Sequence, residues 1–161
     1  MSVPVEPDYV VVELGDGAAT EAFAVICGIE TAGVNQTVTS TDRFRRDCAK
    51  PAAVPTRKVR VTGKQWDMTG SGVINMDEFD RYNSALGVRR NYRILYGRFD
   101  TQADGDTERT GTIYGYYTGP GVMTAFNQNV GGDEGTAEIT IAGEDGIVWT
   151  AGVPGAGGGG A

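Results

Sequence analysis

The stretch RKVRVTGKQWDMTGSG, residues 57–72, decides the fold class. Apolar and basic side chains alternate along its first half, and Trp66 and Met68 continue the apolar phase. A period of two is the repeat of a β-strand with one face buried. The glycines near the end of the stretch are typical of a turn. Residues 57–68 are therefore predicted to form a strand that ends at Gly70-Ser71-Gly72.

A helix is predicted over residues 76–86, shortly after this strand. Asn75 can cap it, and Glu78 three residues later makes a variant of the capping box. Gly87 is a typical C-terminal stop. Three apolar side chains recur at helical spacing: Phe79, Tyr82 and Leu86. Because a helix of about 11 residues is marginal alone, it is expected to pack on a sheet, with Trp66 and Phe79 in the core between them.

The rest of the chain has the composition of a β protein. Leucine occurs only at Leu14, Leu86 and Leu95, while valine, isoleucine and threonine, which suit a pleated surface, are common. Further strands are predicted at residues 9–14, 22–30, 34–38, 92–99, 109–118, 122–130, 135–142 and 147–150. Glycine-rich joints such as Gly119-Pro120-Gly121 separate them. Many short strands with regular turns predict a mainly β fold, a sandwich or partial barrel with one flanking helix.

One domain is predicted over residues 1–150, and three of the chain's segments lack its strand pattern. The N-terminal arm, residues 1–8, has no local packing partner. Residues 41–56 are charged early and proline-punctuated late, which predicts a long loop, and loops of that length in compact domains are usually functional. Residues 151–161 are almost all glycine and alanine and are predicted to be a flexible tail.

The composition argues against a catalytic or metal site. The chain has no histidine, which removes the Ser-His-Asp and Cys-His triads and the usual metal ligand. Residues 100–108 resemble the start of a calcium loop, but its twelfth position is Gly111 instead of a glutamate. The acid pairs Asp133-Glu134 and Glu144-Asp145 lie in glycine turns, which favours solvated turns over a glycosidase site. No catalytic residue, cofactor or metal is predicted.

Charge and cysteine usage exclude further classes. A net charge of −7 argues against a protein that binds nucleic acid tightly, because such proteins present a basic surface. Cys27 and Cys48 are too few for a disulfide framework. Both are expected to be reduced, Cys27 as a small hydrophobe in an apolar run and Cys48 in a loop. Neither a signal peptide nor a membrane span is predicted, since no apolar stretch approaches about 18 residues.

The order of features in the middle of the chain is distinctive. The charged loop is followed by Val59-x-Val61-x-Gly63-x-x-Trp66-Asp67-Met68-Thr69-Gly70-Ser71-Gly72, by the capped helix and then by Tyr92-Arg93-Ile94-Leu95-Tyr96-Gly97. This arrangement, with the strands after Gly111, resembles the tail tube (major tail) proteins of siphophages. The resemblance covers about residues 8–150, is compositional and topological, and leaves out the glycine-rich end.

The resemblance implies a structural, non-enzymatic protein of the virion tail. Its subunits would form hexameric rings that stack into a tube, assembled in the host bacterial cytoplasm, through which DNA passes to the host. DNA and a tape measure protein would occupy the lumen, with tail terminator and baseplate proteins at the ends. The N-terminal arm and the loop 41–56 would bridge subunits or rings. Arg43, Arg45 and Arg46 would pair with acids of a neighbour, or alternatively form a solvated charge run.

An acidic wall would repel phosphate and keep DNA from adhering. Acids in or near predicted strands are the candidates to line it: Glu108, Glu138, Glu13 and Glu30. An outer solvent face is the alternative for each.

The alternative function is a monomeric carbohydrate-binding β-sandwich module. It would present an aromatic face: Trp66, Tyr92, Tyr96, Tyr114, Tyr116 and Tyr117. Packing within the core and on the sheet is the other account of these rings.

Overall fold

Antiparallel strands account for most of the chain in the computed structural model, which describes residues 4–100, 110–132 and 134–155. The strands are β1 (Tyr9–Gly15), β2 (Phe23–Val25), β3 (Ile29–Arg45), β4 (Thr56–Val73), β5 (Arg89–Phe99), β6 (Gly111–Asn129), β7 (Thr136–Gly143) and β8 (Val148–Ala151). A 3₁₀ turn, Met76–Glu78, leads into the helix α1 (Phe79–Ala85). No helix in this part of the chain is long and apolar enough to cross a membrane.

All eight strands belong to one sheet, in the order β2-β1-β5-β6-β7-β4-β3. β8 pairs with β6 beyond the point where β7 stops, so β7 and β8 follow the same edge of β6. The sheet curls until β1 lies against β3, and no ladder joins these two strands within the described residues. The predicted fold class, a mainly β partial barrel with a flanking helix, is confirmed.

The core lies inside this curl and beneath the helix. Its fully buried side chains come from both halves of the sheet and from α1: Val12, Leu14, Ile26, Ile29, Trp66, Met68, Tyr82, Ala85, Tyr92, Ile94, Met123, Ile139 and Ile141. Each large apolar side chain contributes roughly 1.5–3 kcal/mol on full burial. The strands therefore alternate between this apolar face and a second face that points away from the core.

Trp66 is the largest side chain of the core, and it packs on bare backbone. It is 1% exposed. Its ring lies over Gly143 of β7, where an added Cβ would come within 2.2 Å of a ring atom, and beside Gly119 of β6. The indole Nε1 donates to the carbonyl oxygen of Glu144 at 3.3 Å. These glycines are therefore required for the close approach of the ring.

The turn predicted at Gly119-Pro120-Gly121 is wrong, because β6 runs unbroken from Gly111 to Asn129. Pro120 has no N–H for the ladder, but its carbonyl oxygen accepts from the backbone N–H of Glu144 at 2.9 Å. Of the two flanking glycines, Gly119 leaves room for the ring of Trp66, and Gly121 leaves room for Ile141 of β7, whose Cγ2 would lie 2.7 Å from an added Cβ. The strands predicted at 109–118 and 122–130 are consequently one.

β4 also continues past its predicted end. The triplet Gly70-Ser71-Gly72 stays in the strand, which ends at Val73. A Cβ at Gly70 would come within 2.9 Å of Ile29, and one at Gly72 would overlap the carbonyl of Gly28. These glycines accommodate a close β3–β4 pairing around the bulge that follows Ile29.

The helix lies close to its predicted place, with a different first turn and a different buried stripe. The Oδ1 of Asn75 accepts from the backbone N–H two residues on, at 3.1 Å. Glu78 does not complete the capping box and instead pairs with Arg81 at 2.7 Å. Leu86 is 41% exposed, since its extended backbone turns it off the helical stripe, and Ala85 is buried in its place.

The loop predicted at residues 41–56 is shorter than expected, because residues 41–45 and Thr56 belong to strands. β3 and β4 enclose only residues 46–55 as their connection. The charges and prolines of this stretch are typical of a loop. The charged residues 42–45 nevertheless lie in a strand, which tolerates them because both of its faces meet solvent. Arg43 and Arg45 therefore lie on β3, and Arg46 begins the connection.

The strand predicted at residues 22–30 is two strands, with a turn between them. Gly28 has a φ of +109°, which favours glycine, and allows the reversal. Ile26 enters the core, whereas Cys27 is exposed and not packed as a small hydrophobe. Cys48 is exposed as well, and both thiols are free.

The ends of the chain are partly tied to the sheet. Ala151 closes β8, and the N–H of Gly152 donates to the carbonyl of Tyr114 at 2.8 Å, so the first two residues of the predicted tail 151–161 are held on the sheet. Residues 156–161 lie outside the described part of the chain. The same holds for the first three residues of the predicted arm 1–8, of which residues 4–8 are exposed.

Replacing Phe79 by alanine tests the packing of the helix on the sheet. Phe79 is half-buried and meets Phe126 of β6 edge-on, with ring centroids 5.7 Å apart. We expect Phe79→Ala to lower the free energy of unfolding by about 2–4 kcal/mol. Phe44→Ala is the control, because Phe44 is 72% exposed. Equal urea midpoints for the two unassembled variants would show that the helix does not pack as described.

A second pair of variants tests the seat of Trp66. Gly143→Ala forces a methyl group into the indole ring and should cost about 1–3 kcal/mol through overpacking. At Gly146 an added Cβ meets nothing within 4 Å, so Gly146→Ala should change stability by no more than about 0.5 kcal/mol. Thermal unfolding followed by tryptophan fluorescence gives both values, and identical melting temperatures would contradict the close ring contact.

Candidate functional site

The β3–β4 hairpin extends beyond the body of the sheet as an arm, defined here as residues 36–66. The ladder between β4 and β7 stops at Asp67, so the two arm strands pair only with each other in the described structure. From Asn35 to Gln65 nearly every residue is exposed. Ten residues of strand at about 3.3 Å each give the arm a length of roughly 30 Å.

The arm has one apolar face and one basic face. Residues paired across the ladder share a face, and a bulge after Thr39 keeps the alternation of β3 intact. The more apolar face carries Val38, Phe44, Val59 and Val61, each more than half exposed, and with them the ion pair of Asp42 and Arg57. The basic face carries Arg43, Arg45, Lys58 and Arg60. An isolated two-stranded ribbon is marginally stable in water, so an apolar face this exposed indicates a contact surface.

The charge of the chain is divided between the arm and the body. Eight of the 14 lysines and arginines lie between residues 43 and 64, against two of the 21 acids between 42 and 64. That segment has a formal charge of +6, which leaves −13 for the rest. In the body, Arg81, Arg89 and Arg93 each pair with an acid. Among the described ion pairs, the arm has only the exposed contact of Arg57 with Asp42, at 3.7 Å.

A polar face crosses β6, β7, β4 and β3 on the side away from the core. Two rows of paired residues run across these four strands: Asn127, Glu138, Ser71 and Thr31 in one, and Ala125, Thr140, Thr69 and Gly33 in the other. The hydroxyl oxygens of Thr31 and Ser71 lie 2.6 Å apart. Because their strand neighbours Ile139, Ile141 and Met68 are buried, these side chains point out of the core. The face consists mainly of small and hydroxyl-bearing side chains.

No protein-family model matches the chain, and no curated protein matches it in sequence. Solved structures do match its fold. The tail of an empty gene transfer agent particle with C6 symmetry aligns with a TM-score of 0.60 at 15% identity, covering 88% of this chain and 96% of that one. The SPP1 tail tube aligns at 0.56 and 11% identity, covering 93% and 81%. A chain of the PVC sheath-tube complex, an extracellular contractile injection system, aligns at 0.53 and 15% identity, covering 93% and 92%.

The chain has the tail tube fold. The resemblance seen in the sequence is thereby confirmed for the architecture. Identities of 11–15% carry the fold and no residue-level role. The roles of the arm and of the polar face therefore depend on this chain's own residues.

The structure separates the four acids predicted to line a channel. Glu138 is exposed at the centre of the polar face, and Glu30 is exposed at the end of the same face, on the bulge of β3. Glu13 is elsewhere: it is half-buried and pairs with Arg93 at 3.3 Å. Glu108 lies outside the described residues.

The acid pairs and the calcium-like segment considered for catalysis or metal binding either make structural contacts or lie mostly outside the described residues. Glu144 and Asp145 both pair with Arg89, at 2.9 Å each, as turn residues. Asp133 and the central part of the calcium-like segment, residues 101–109, lie outside the described chain. Within the described ranges no group of three or more potential metal ligands is found.

The aromatic residues considered for a carbohydrate face do not form a flat platform. Trp66 and Tyr92 are fully buried. Tyr96 and Tyr117 meet at 81°, and Trp149 joins them at a tilt, so the three rings form an angular cluster. Burial raises the pKa of Tyr92 to about 12 and also raises that of Tyr96, as expected for packed phenols.

The same burial effect acts under the helix. Tyr82 stacks on Phe126 with ring centroids 4.4 Å apart. Desolvation raises the pKa of Tyr82 to about 12, with the nearby carboxylate of Glu78 as the next cause. These tyrosines are packing groups, and none of them lies on the arm or on the polar face.

Proposed function

We propose that this chain is a structural, non-enzymatic subunit of a viral tail tube, in which hexameric rings stack and conduct DNA to the host. The observation that carries the proposal is the arm. It is roughly 30 Å of two-stranded ribbon that the described part of its own chain leaves uncovered. The fold shared with a tail of C6 symmetry and with a tail tube supports repeated copies as the cover.

Open strand edges support the same role. The outer edge of β3 and the β4 edge of the arm carry no ladder in the described chain. Such edges are an aggregation hazard in a monomer, and a neighbouring subunit satisfies them in a closed ring. The N-terminal arm, residues 1–8, is proposed as a second bridge, with Arg43, Arg45 and Arg46 facing acids of a neighbour.

The polar face supports a channel wall. Its four strands, β6, β7, β4 and β3, present hydroxyls, amides and glycine, which offer DNA no apolar or basic hold. Glu138 stands in this face, and six copies would form a ring of negative charge that repels phosphate. DNA and a tape measure protein are the proposed occupants, with Glu30 nearer the rim and Glu108 as a further wall candidate.

The ends of the tube need partners of their own. Matching structures include a sheath/tube terminator, a tube-terminating cap and a baseplate. Tail terminator and baseplate proteins are accordingly the proposed end partners. The proposed location is the virion tail, assembled in the cytoplasm of the host bacterium.

Electron microscopy of the purified chain tests the assembly. We expect rings or tubes from the wild type. In the arm-less variant, Val38 and Lys64 are joined by Asn-Gly, which suits a tight hairpin between paired residues. This variant should keep the circular dichroism spectrum of the folded body and form no tubes. Normal tubes from it would contradict the role of the arm. Isolated wild-type particles that bind glycans would favour the carbohydrate-binding module.

The channel wall has a separate test on assembled tubes. Wild-type tubes should not retain a short labelled DNA duplex in about 0.1 M salt. Tubes of Glu138→Lys should retain it, because the wall now carries rings of positive charge, and about 0.5 M salt should release it. Asp80→Lys is the matched control, since Asp80 is exposed on the helix. Equal retention by the two variants would remove Glu138 from the wall, and adding Glu108→Lys should strengthen the effect if that residue shares it.

A further inference from the structure

We infer that copies join head to tail through unlike charges: the basic face of one copy's arm docks on Glu30 and Glu134 of another copy, in an acidic groove at the end of the polar face and beyond its wall residue Glu138. This inference rests on the proposed function and names the contact that sets the direction of stacking. Each chain carries both surfaces: the acidic groove, which receives, and the basic face of the arm, which arrives. They lie at opposite ends of the strand pair β3 and β4.

The receiving surface is a groove of about 430 Å³ between the start of β3, the end of β4 and the start of β7. Three carboxylates line it: Glu30, Glu134 and Glu138. The bulge between Ile29 and Thr31 places Glu30 outside the ladder, and Glu134 precedes the first residue of β7. None of the three takes part in an ion pair among the described residues. Like charges held on one groove favour a cationic occupant.

The arriving surface is the basic face of the arm. Arg43 of β3 stands directly opposite Lys58 of β4 in the ladder. Like charges in directly opposed positions destabilise a strand pair, so this arrangement is costly in an isolated arm. Arg45 and Arg60 flank the pair on the same face, and none of the four forms a described ion pair. An acidic surface on a partner removes the repulsion.

The two surfaces cannot meet within one chain. From Glu30 to Arg45 the strand β3 is continuous, and 15 steps at about 3.3 Å separate the two charges by roughly 50 Å. A paired ribbon does not fold back on itself over that distance. A contact between the arm of one copy and the groove of another is therefore intermolecular. Two antiparallel copies would close it as a two-fold dimer, whereas in the proposed tube, whose rings stack in one direction, it repeats head to tail without closing.

Two charge-reversed variants test the pairing. The groove variant carries Glu30→Lys and Glu134→Lys, and the arm variant carries Arg43→Glu and Lys58→Glu. Both change only exposed residues, so both should keep the wild-type melting temperature. Each alone should give rings or particles, with tube length in micrographs reduced at least tenfold. An equimolar mixture should form tubes again, because each variant's arm then meets a groove of opposite charge on the other.

The controls separate this contact from general charge effects and from the proposed function. Asp77→Lys with Asp80→Lys changes the net charge as the groove variant does, at two exposed residues of the helical segment, and should leave tubes unchanged. If wild-type tubes form and either reversed variant also forms normal tubes, the pairing is overturned and the tube stands. The pairing is overturned in the same way if the mixture of folded variants fails to assemble. If the arm variant forms normal tubes, and unassembled wild-type protein binds a labelled DNA duplex that the arm variant does not bind, the pairing is likewise overturned and the basic face binds nucleic acid. A wild type that never assembles overturns the function itself.

Discussion

The contact between the indole ring of Trp66 and the backbone of Gly143 sets the course of the chain where the sheet divides. On one side of this contact β7 ends, and the chain turns through residues 144–147 into β8. On the other side β4 leaves the body of the sheet and enters the arm. The hydrogen bond from the indole Nε1 to Glu144 fixes the ring between the two. The direction of the arm therefore depends on residues at its base: the core residue Trp66, and Gln36, whose Nε2 donates to the hydroxyl of Tyr117 in β6 at 3.4 Å.

Much of the fold follows from local rules, because the residues that specify it are neighbours in sequence. The cap at Asn75, the half-buried Phe79 and the left-handed Gly87, with a φ of +74°, bound a helix that pattern alone places within a few residues. The enrichment in β-branched residues is enough for the fold class. Here local preference and tertiary packing agree.

The features that sequence reasoning missed depend on residues far apart in the chain. A Gly-Pro-Gly triplet is typical of a turn, but here Gly119 and Gly121 lie in ladders with distant strands, and Gly119 also packs against Trp66, more than 50 positions earlier. The partner of Glu13 is Arg93, which becomes adjacent only through the β1–β5 register. The arm did leave a local signal, the alternation of Val59 and Val61 with basic residues, but the charges before it favoured a loop.

The net charge of −7 conceals the property that matters for assembly. The body has a formal charge of −13 and the arm segment one of +6, so two copies repel or attract each other according to their relative orientation. Two copies that meet body to body bring acids together, and two that meet arm to arm bring Arg43 and Lys58 of both copies together. Only the arrangement of arm to body brings unlike charges into contact. Each exposed pair is worth well under about 1 kcal/mol, so a single contact is reversible. In the proposed tube, six such contacts between two hexameric rings would act together, since the first fixes the effective concentration of the rest. Weak, polar and repeated contacts thus allow misplaced copies to dissociate while a correctly oriented ring remains bound.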